Sequence, residues 1–207
     1  MSNSETFIKS IGAGVFIGIG CIVYTTCPIK LPGALLFSLG LLSVIMLKQN
    51  LYTGKVGYLL TEFNTTKEFL LNVAKLTEIF VGNFVGIYLT AIAWTASRHY
   101  SVIDVSARVN DTIPSLFVLG ILCGILMFTA VEAYSRYSNP IIVILCVTVF
   151  IVAGFEHSIA DMFYLICSDA TVGQSLKVIG CVALGNAVGG VIAHMVSKYN
   201  YITGVLK

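Results

Sequence analysis

Between Pro140 and Cys167 the chain is almost wholly apolar, except where Gly154-Phe155-Glu156-His157 interrupts it. An imidazole is the one side chain whose unperturbed ionisation falls near neutral pH, so His157 can donate, accept or pass a proton. Asp161 follows one helical turn later. That spacing suits a metal, but one pair of ligands falls short of the three or four that zinc takes, and no metal is expected. Glu156 is expected to turn away from His157 and cap a helix end. A second interruption, Leu51-Tyr52-Thr53-Gly54, offers the Thr53 hydroxyl to an ion or to His157, and Gly54 gives the turn backbone freedom. Hydrolytic chemistry would need a nucleophile with its base, or a metal set. Neither His-Glu-x-x-His nor Gly-x-Ser-x-Gly occurs, so the reading is of a protein that is not an enzyme and uses no cofactor.

The surroundings of these residues decide what they can do. Of the 207 residues 57% are hydrophobic and only 11% charged, with mean hydropathy +0.92; ordinary soluble domains carry about 25% charge. Such a chain cannot cover a water-facing surface, whereas lipid-facing positions need no charge. A net charge of +2 without a basic run excludes nucleic-acid binding. The first apolar stretch lacks a charged leader region and a cleavage site and reads as a retained helix. The cysteines at 21, 27, 123, 146, 167 and 181 lie in or beside apolar runs and read as small buried residues.

Six membrane segments are predicted: Ser10 to Cys27, Pro32 to Leu47 with a continuation from Gly54 to Leu60, Leu71 to Thr95, Thr112 to Tyr134, Pro140 to Gly154 with a restart to Cys167, and Ser175 to Lys198. Pro32 to Leu47 spans 16 residues. At about 1.5 Å per residue it covers about 24 Å, short of a hydrocarbon core of about 30 Å. Irregular backbone is not tolerated against lipid, so both interruptions must lie inside protein or along a water-filled path.

The chain also repeats itself. Gly82-Asn83-Phe84-Val85-Gly86 returns as Gly185-Asn186-Ala187-Val188-Gly189, 103 positions later. The same shift carries Thr53 to Glu156. Gly14-xxx-Gly18 matches Gly120-xxx-Gly124, and Pro32 answers Pro140. Three segments per repeat is an odd number, so the halves are inverted in the membrane. Broken helices in inverted halves point to a transport site near the midplane. The fold expected is therefore an all-α membrane protein of six transmembrane helices in two inverted three-helix repeats (about 1–100 and about 105–207), with the second and fifth broken, forming a single channel domain over 1–207.

Half-helices that begin after each break would aim partly positive N-termini at the centre, which favours an anion. Lys48, Lys55 and Arg108 are placed to raise the anion concentration at the mouths. Phe37 and Phe150 precede the two breaks and could narrow the path on either side of His157. The Gly-xxx-Gly motifs read as close helix packing. Lys9, Lys67, Lys75, Arg136, Lys198 and Lys207 fall on one side, against Lys30, Arg98, Arg108 and Lys177 on the other. That imbalance places both termini in the cytoplasm and the protein in the cell inner (plasma) membrane.

These residues resemble the formate/nitrite transporter family. Leu51-Tyr52-Thr53-Gly54 is similar to the family's Leu-Phe-Thr-Ser turn, Gly154 through Phe163 to its fifth-helix break, and the two Gly-Asn pairs match as well. The resemblance covers essentially the whole chain. It implies an aquaporin-like protomer, assembled as a homopentamer with one pore per protomer. It implies that Thr53 and His157 form the pore centre, that Phe37, Leu41, Leu51 and Phe150 are constriction positions, and that Arg108 stands where a vestibule lysine is common. Asp161 replaces a usual asparagine, Gly124 stands where formate channels tend to have asparagine, Lys55 follows the Thr-Gly turn where a neutral residue is common, and the chain is short for the family. These departures resemble the hydrosulfide-channel branch described in clostridial anaerobes. The expected function is a channel for small monovalent anions, hydrosulfide first. Formate or nitrite, proton-coupled weak-acid transport, and a water or neutral-solute pore are the alternatives; the last would lack its Asn-Pro-Ala pair.

Overall fold

The computed structural model describes residues 3–97 and 100–202, so Arg98 and Lys207 of the charge count lie outside the described residues. The described chain is all helical: α1 (Asn3–Thr26), α2 (Lys30–Met46), α3 (Tyr52–Leu59), α4 (Thr66–Thr95), α5 (Ser106–Val109), α6 (Ile113–Tyr137), α7 (Pro140–Ala153), α8 (Ser158–Ile166) and α9 (Val172–Ile202). Helices α1, α4, α6 and α9 are long and apolar enough to cross a membrane. Helices α7 and α8 together make another span, bent by 54° at its break. The shorter apolar α2 continues into α3 at the corresponding place in the first half. This arrangement is consistent with the six segments expected. Most boundaries shift by a few residues, and the long polar connection contains the extra short helix α5.

Glycine sets the frame. Helix α1 packs along α4, and α6 along α9. A Cβ on Gly14 would strike the Asn83 carbonyl, and one on Gly124 would strike the Asn186 backbone. These are backbone-to-backbone approaches that only small residues permit. The same contacts correct the register of the repeat. Gly86 meets Ile11 and Val15, while Gly189 meets Ile121 and Ile125. The first helix of each half is therefore related by 110 positions and the third by 103. Gly14 corresponds to Gly124, not to Gly120. A Gly-xxx-Gly motif looks the same one turn along, so the motif alone leaves a four-residue ambiguity that only the partner helix resolves.

The breaks are equivalent helix ends. After α2, Lys48 N–H donates to the Ile45 carbonyl and Gln49 N–H to the Val44 carbonyl. After α7, Gly154 N–H donates to Ile151 and Phe155 N–H to Phe150. Both are Schellman caps, which place one residue in the left-handed region. That residue is Gly154 (φ 76°) in the second half and Lys48 (φ 53°) in the first. Gly54, expected to ease the turn, instead lies within α3 and packs on Val131. The breaks are thus related by 106 positions, which pairs Leu51 with His157 and Val44 with Phe150.

Candidate permeation site

Two buried asparagines hold the broken ends. Asn83 accepts from Tyr52 N–H at 2.9 Å and donates to the carbonyls of Ser10 and Asn50, each at 2.8 Å. Asn186 accepts from Ser158 N–H at 2.9 Å and donates to Gly120 at 2.8 Å and Glu156 at 3.0 Å. Each amide satisfies one free donor at a half-helix start and one carbonyl within the break, and its second N–H ties the break to a carbonyl of a long helix, Ser10 in α1 or Gly120 in α6. Irregular backbone at membrane depth is tolerable on that condition. The sequence signalled these asparagines only as a repeat; the three partners of each come from two other segments, the broken one and a long helix.

The clamped starts of α3 and α8 bring Thr53 and His157 together. Thr53 Oγ1 lies 3.0 Å from His157 Nε2, with both residues buried. His157 is the N-cap of α8, its Nδ1 accepting from Ala160 N–H at 3.1 Å. A ring nitrogen that accepts carries no proton, so the neutral imidazole bears its hydrogen on Nε2 and donates it to Thr53. The capping role expected of Glu156 therefore belongs to His157.

One cavity borders His157, and a second borders Leu51 and Gly54, close neighbours of Thr53. One, of about 40 Å³, is lined by His157, Phe37, Phe150, Arg108, Asp161 and Tyr164 among others. The other, of about 370 Å³ and open at its mouth, is lined by Val44, Leu51, Gly54, Lys48, Lys55 and Tyr134 among others. Phe37 and Phe150 meet edge to face at 6.0 Å, and Phe150 stacks on His157 at 5.9 Å. Both phenylalanines stand on the Arg108 side, not on opposite sides of the histidine. The reason is that α2 and α7 pack side by side in opposite directions, so Lys30 at the start of α2 reaches the Val152 carbonyl near the end of α7. A residue early in α2 is level with one late in α7. The counterpart of Phe150 on the Lys48 side is Val44, which sequence reasoning did not single out. Leu41 is buried one turn after Phe37.

Arg108 is brought to the first cavity by α5, which is held in place by Lys177 donating to the carbonyls of Val109 and Asp111. Its Nε lies 2.7 Å from Glu156 Oε2 and 3.4 Å from Asp161 Oδ1, and its guanidinium covers the Tyr164 ring at 4.8 Å. Burial works against the Arg108 charge, but the Asp161 and Glu156 carboxylates outweigh it and hold the group protonated above its ordinary range. The cation is thus balanced locally, with Asp161 facing it. Lys48 and Lys55, in contrast, share their cavity with no carboxylate. Gly124 lies at the crossing of α6 and α9, where any side chain would meet the Asn186 backbone. It is a packing position and lines neither cavity.

Solved structures with this architecture include one titled an FNT family ion channel, with a TM-score of 0.83 at 22% identity over 95% of this chain and 90% of that one. Another, titled a pentameric formate channel with formate bound, has a TM-score of 0.78 at 24% identity over 99% of this chain and 98% of that one. Among curated relatives, the formate channel FocA of Haemophilus influenzae is 28% identical over 187 residues, covering 77% of this chain and 65% of that protein. FocA of Escherichia coli strain K12 is 29% identical over 185 residues, covering 78% of this chain and 65% of that protein. The chain thus spans just under two thirds of the length of these relatives. The family model described as Formate/nitrite transporter matches residues 1–200, and the chain belongs to the formate/nitrite transporter family.

Proposed function

We propose that the protein conducts a small monovalent weak-acid anion across the cytoplasmic membrane, with one pore in each protomer of a homopentamer and both termini in the cytoplasm. The observation that carries this reading is the buried Thr53–His157 contact, with one cavity bordered by His157 and a second bordered by Leu51 and Gly54, close neighbours of Thr53. Lys48 and Lys55 gather anions at the cytoplasmic mouth. Leu51 and Val44 on that side, and Phe37 and Phe150 on the other, strip water from the ion; Leu41 backs this wall. Full dehydration of a charge is very costly. The Thr53 hydroxyl hydrogen, the His157 Nε2–H and the positive ends of α3 and α8 offset that cost at the centre.

Hydrosulfide is the first substrate of this reading. A cavity of about 40 Å³ suits an ion of two to four atoms, and a water-sized probe takes about 10–15 Å³. Formate is the second reading, favoured by the relatives that are named formate channels and by the solved neighbour titled with formate bound.

The test is flux into proteoliposomes of purified protein, comparing hydrosulfide, formate, nitrite and chloride at two pH values. Hydrosulfide outrunning the others supports the first reading, and formate or nitrite dominating moves the substrate within the family. Water flux without anion flux would sink the anion reading and leave a neutral-solute pore.

A further inference from the structure

The cavity beside His157 is lined by one cation, Arg108, and one carboxyl group, Asp161, and a second carboxyl group, Glu156, meets the same Arg108 from outside that lining. Glu156 and Asp161 reach the same Arg108 nitrogen, at 2.7 and 3.4 Å. Asp161 is 1% exposed, and its Oδ2 has no hydrogen-bond partner. A buried ionised oxygen without a donor is costly, whereas a carboxyl O–H at the same place carries no uncompensated charge and can offer its hydrogen to a molecule in the cavity. Two carboxylates crowded on one guanidinium favour keeping one proton between them. The remaining titratable groups around Asp161 and its cavity are Tyr164 on its own helix, Cys21 and Tyr24 from α1, Cys123 from α6, and His157 at its helix start. None of them brings a second cation while His157 is neutral.

His157 is poorly placed to be the proton carrier. A second proton would have to sit on Nδ1, which would break the bond from Ala160 N–H and set a cation on the positive end of α8.

We propose that Asp161, sharing one proton with Glu156 beside Arg108, exchanges that proton with the permeating weak-acid anion in the cavity next to His157. This rests on the reading of the site as a pore. In the step, the Asp161 O–H bond breaks as an S–H bond forms on hydrosulfide, or an O–H bond on formate. The products are a carboxylate held by Arg108 and a neutral acid, which passes the apolar walls and the Thr53–His157 pair without the cost of a dehydrated charge. A hydronium ion from the water on the Arg108 side then returns a proton to the carboxylate and leaves as water. In the reverse direction the neutral acid gives its proton to Asp161 and leaves as the anion.

The experiment measures anion-driven proton movement and electrical current together. Wild-type, Asp161→Asn and Glu156→Gln proteins are reconstituted in liposomes with a pH dye inside, and the leak of empty liposomes is subtracted. The probe is hydrosulfide, formate or nitrite, whichever the wild type carries fastest above the leak of empty liposomes. Wild type is expected to move a proton with each anion and to pass little current. Asp161→Asn, close in shape but unable to carry the proton, is expected to lower proton movement at least about tenfold while anion current rises above the wild-type level. Glu156→Gln leaves Asp161 as the only carboxylate on Arg108 and is expected to do the same, so the proposal stays open to test if the first variant fails to assemble. Undiminished proton movement in both variants would overturn it, as would proton movement and current falling together in proportion. Wild-type anion flux with no proton movement would overturn it while leaving the pore reading intact. No wild-type flux of any of the three anions would overturn the pore reading and this proposal with it.

Discussion

Thr53 Oγ1 and His157 Nε2 stand 3.0 Å apart and join the first turns of two half-helices that come from opposite halves of the chain. Because His157 Nδ1 is occupied by Ala160 N–H, the shared hydrogen belongs to Nε2. Thr53→Ser keeps the hydroxyl and should retain most of the flux. Thr53→Val keeps the shape and leaves the buried Nε2–H without an acceptor, at about 1–3 kcal/mol. Proteoliposome flux should fall by about tenfold or more for Val. Equal flux in the two variants would show that the pair has no part in permeation.

Asn83 and Asn186 each make three hydrogen bonds to backbone groups beside the breaks or on the neighbouring long helix. Asn83→Ala and Asn186→Ala should each cost about 2–4 kcal/mol, since several buried groups lose their partners at once. Asn→Asp should also destabilise, because a carboxylate accepts from the helix start but cannot donate to the two carbonyls. Thermal unfolding in detergent measures this, and unaltered melting of either alanine variant would refute the clamp.

Lys48 adopts φ 53° where the second half has Gly154. A non-glycine residue in the left-handed region costs about 1 kcal/mol. Lys48→Gly should therefore keep or slightly raise thermal stability, while Gly154→Ala should lower it by about 1 kcal/mol or more. A loss of stability in Lys48→Gly as large as that in Gly154→Ala would mean that the side chain, not the turn, decides the first break.

Lys48 and Lys55 face a cavity without a carboxylate. Replacing either with Gln should slow anion uptake from that side by about threefold to tenfold at low ionic strength, with the difference shrinking towards 1 M salt as screening shortens the reach of the charge. A defect that is the same at all salt concentrations would assign these lysines a packing role.

Phe37 and Phe150 meet at 6.0 Å on the Arg108 side. Phe150→Ala removes the ring that stacks on His157 as well, so it should admit larger anions and raise osmotic water flux more than Phe37→Ala does. Stopped-flow light scattering measures the water flux. Identical behaviour of the two variants would argue against Phe150 as the narrower position.

The sequence by itself determined that the chain belongs in a bilayer, where its helices break, and that its halves are inverted. These follow from local quantities: apolar length against bilayer thickness, polar residues inside apolar runs, and an odd number of segments per repeat. It also brought Thr53 and His157 into one frame, since both sit beside breaks that must meet at the same depth. What only the tertiary structure decided is how residues distant in the chain face one another. The repeat drifts from 110 positions to 106 to 103 through its three parts because the connections within each half differ in length, and a glycine motif cannot report its own register. The level of Phe37 against Phe150 depends on α2 and α7 packing in opposite directions. Arg108 reads as a free vestibule charge until α5 lays it against Glu156 and Asp161. A charge declares itself in the sequence, whereas its partner 48 or more positions away is set by the packing that brings the two together.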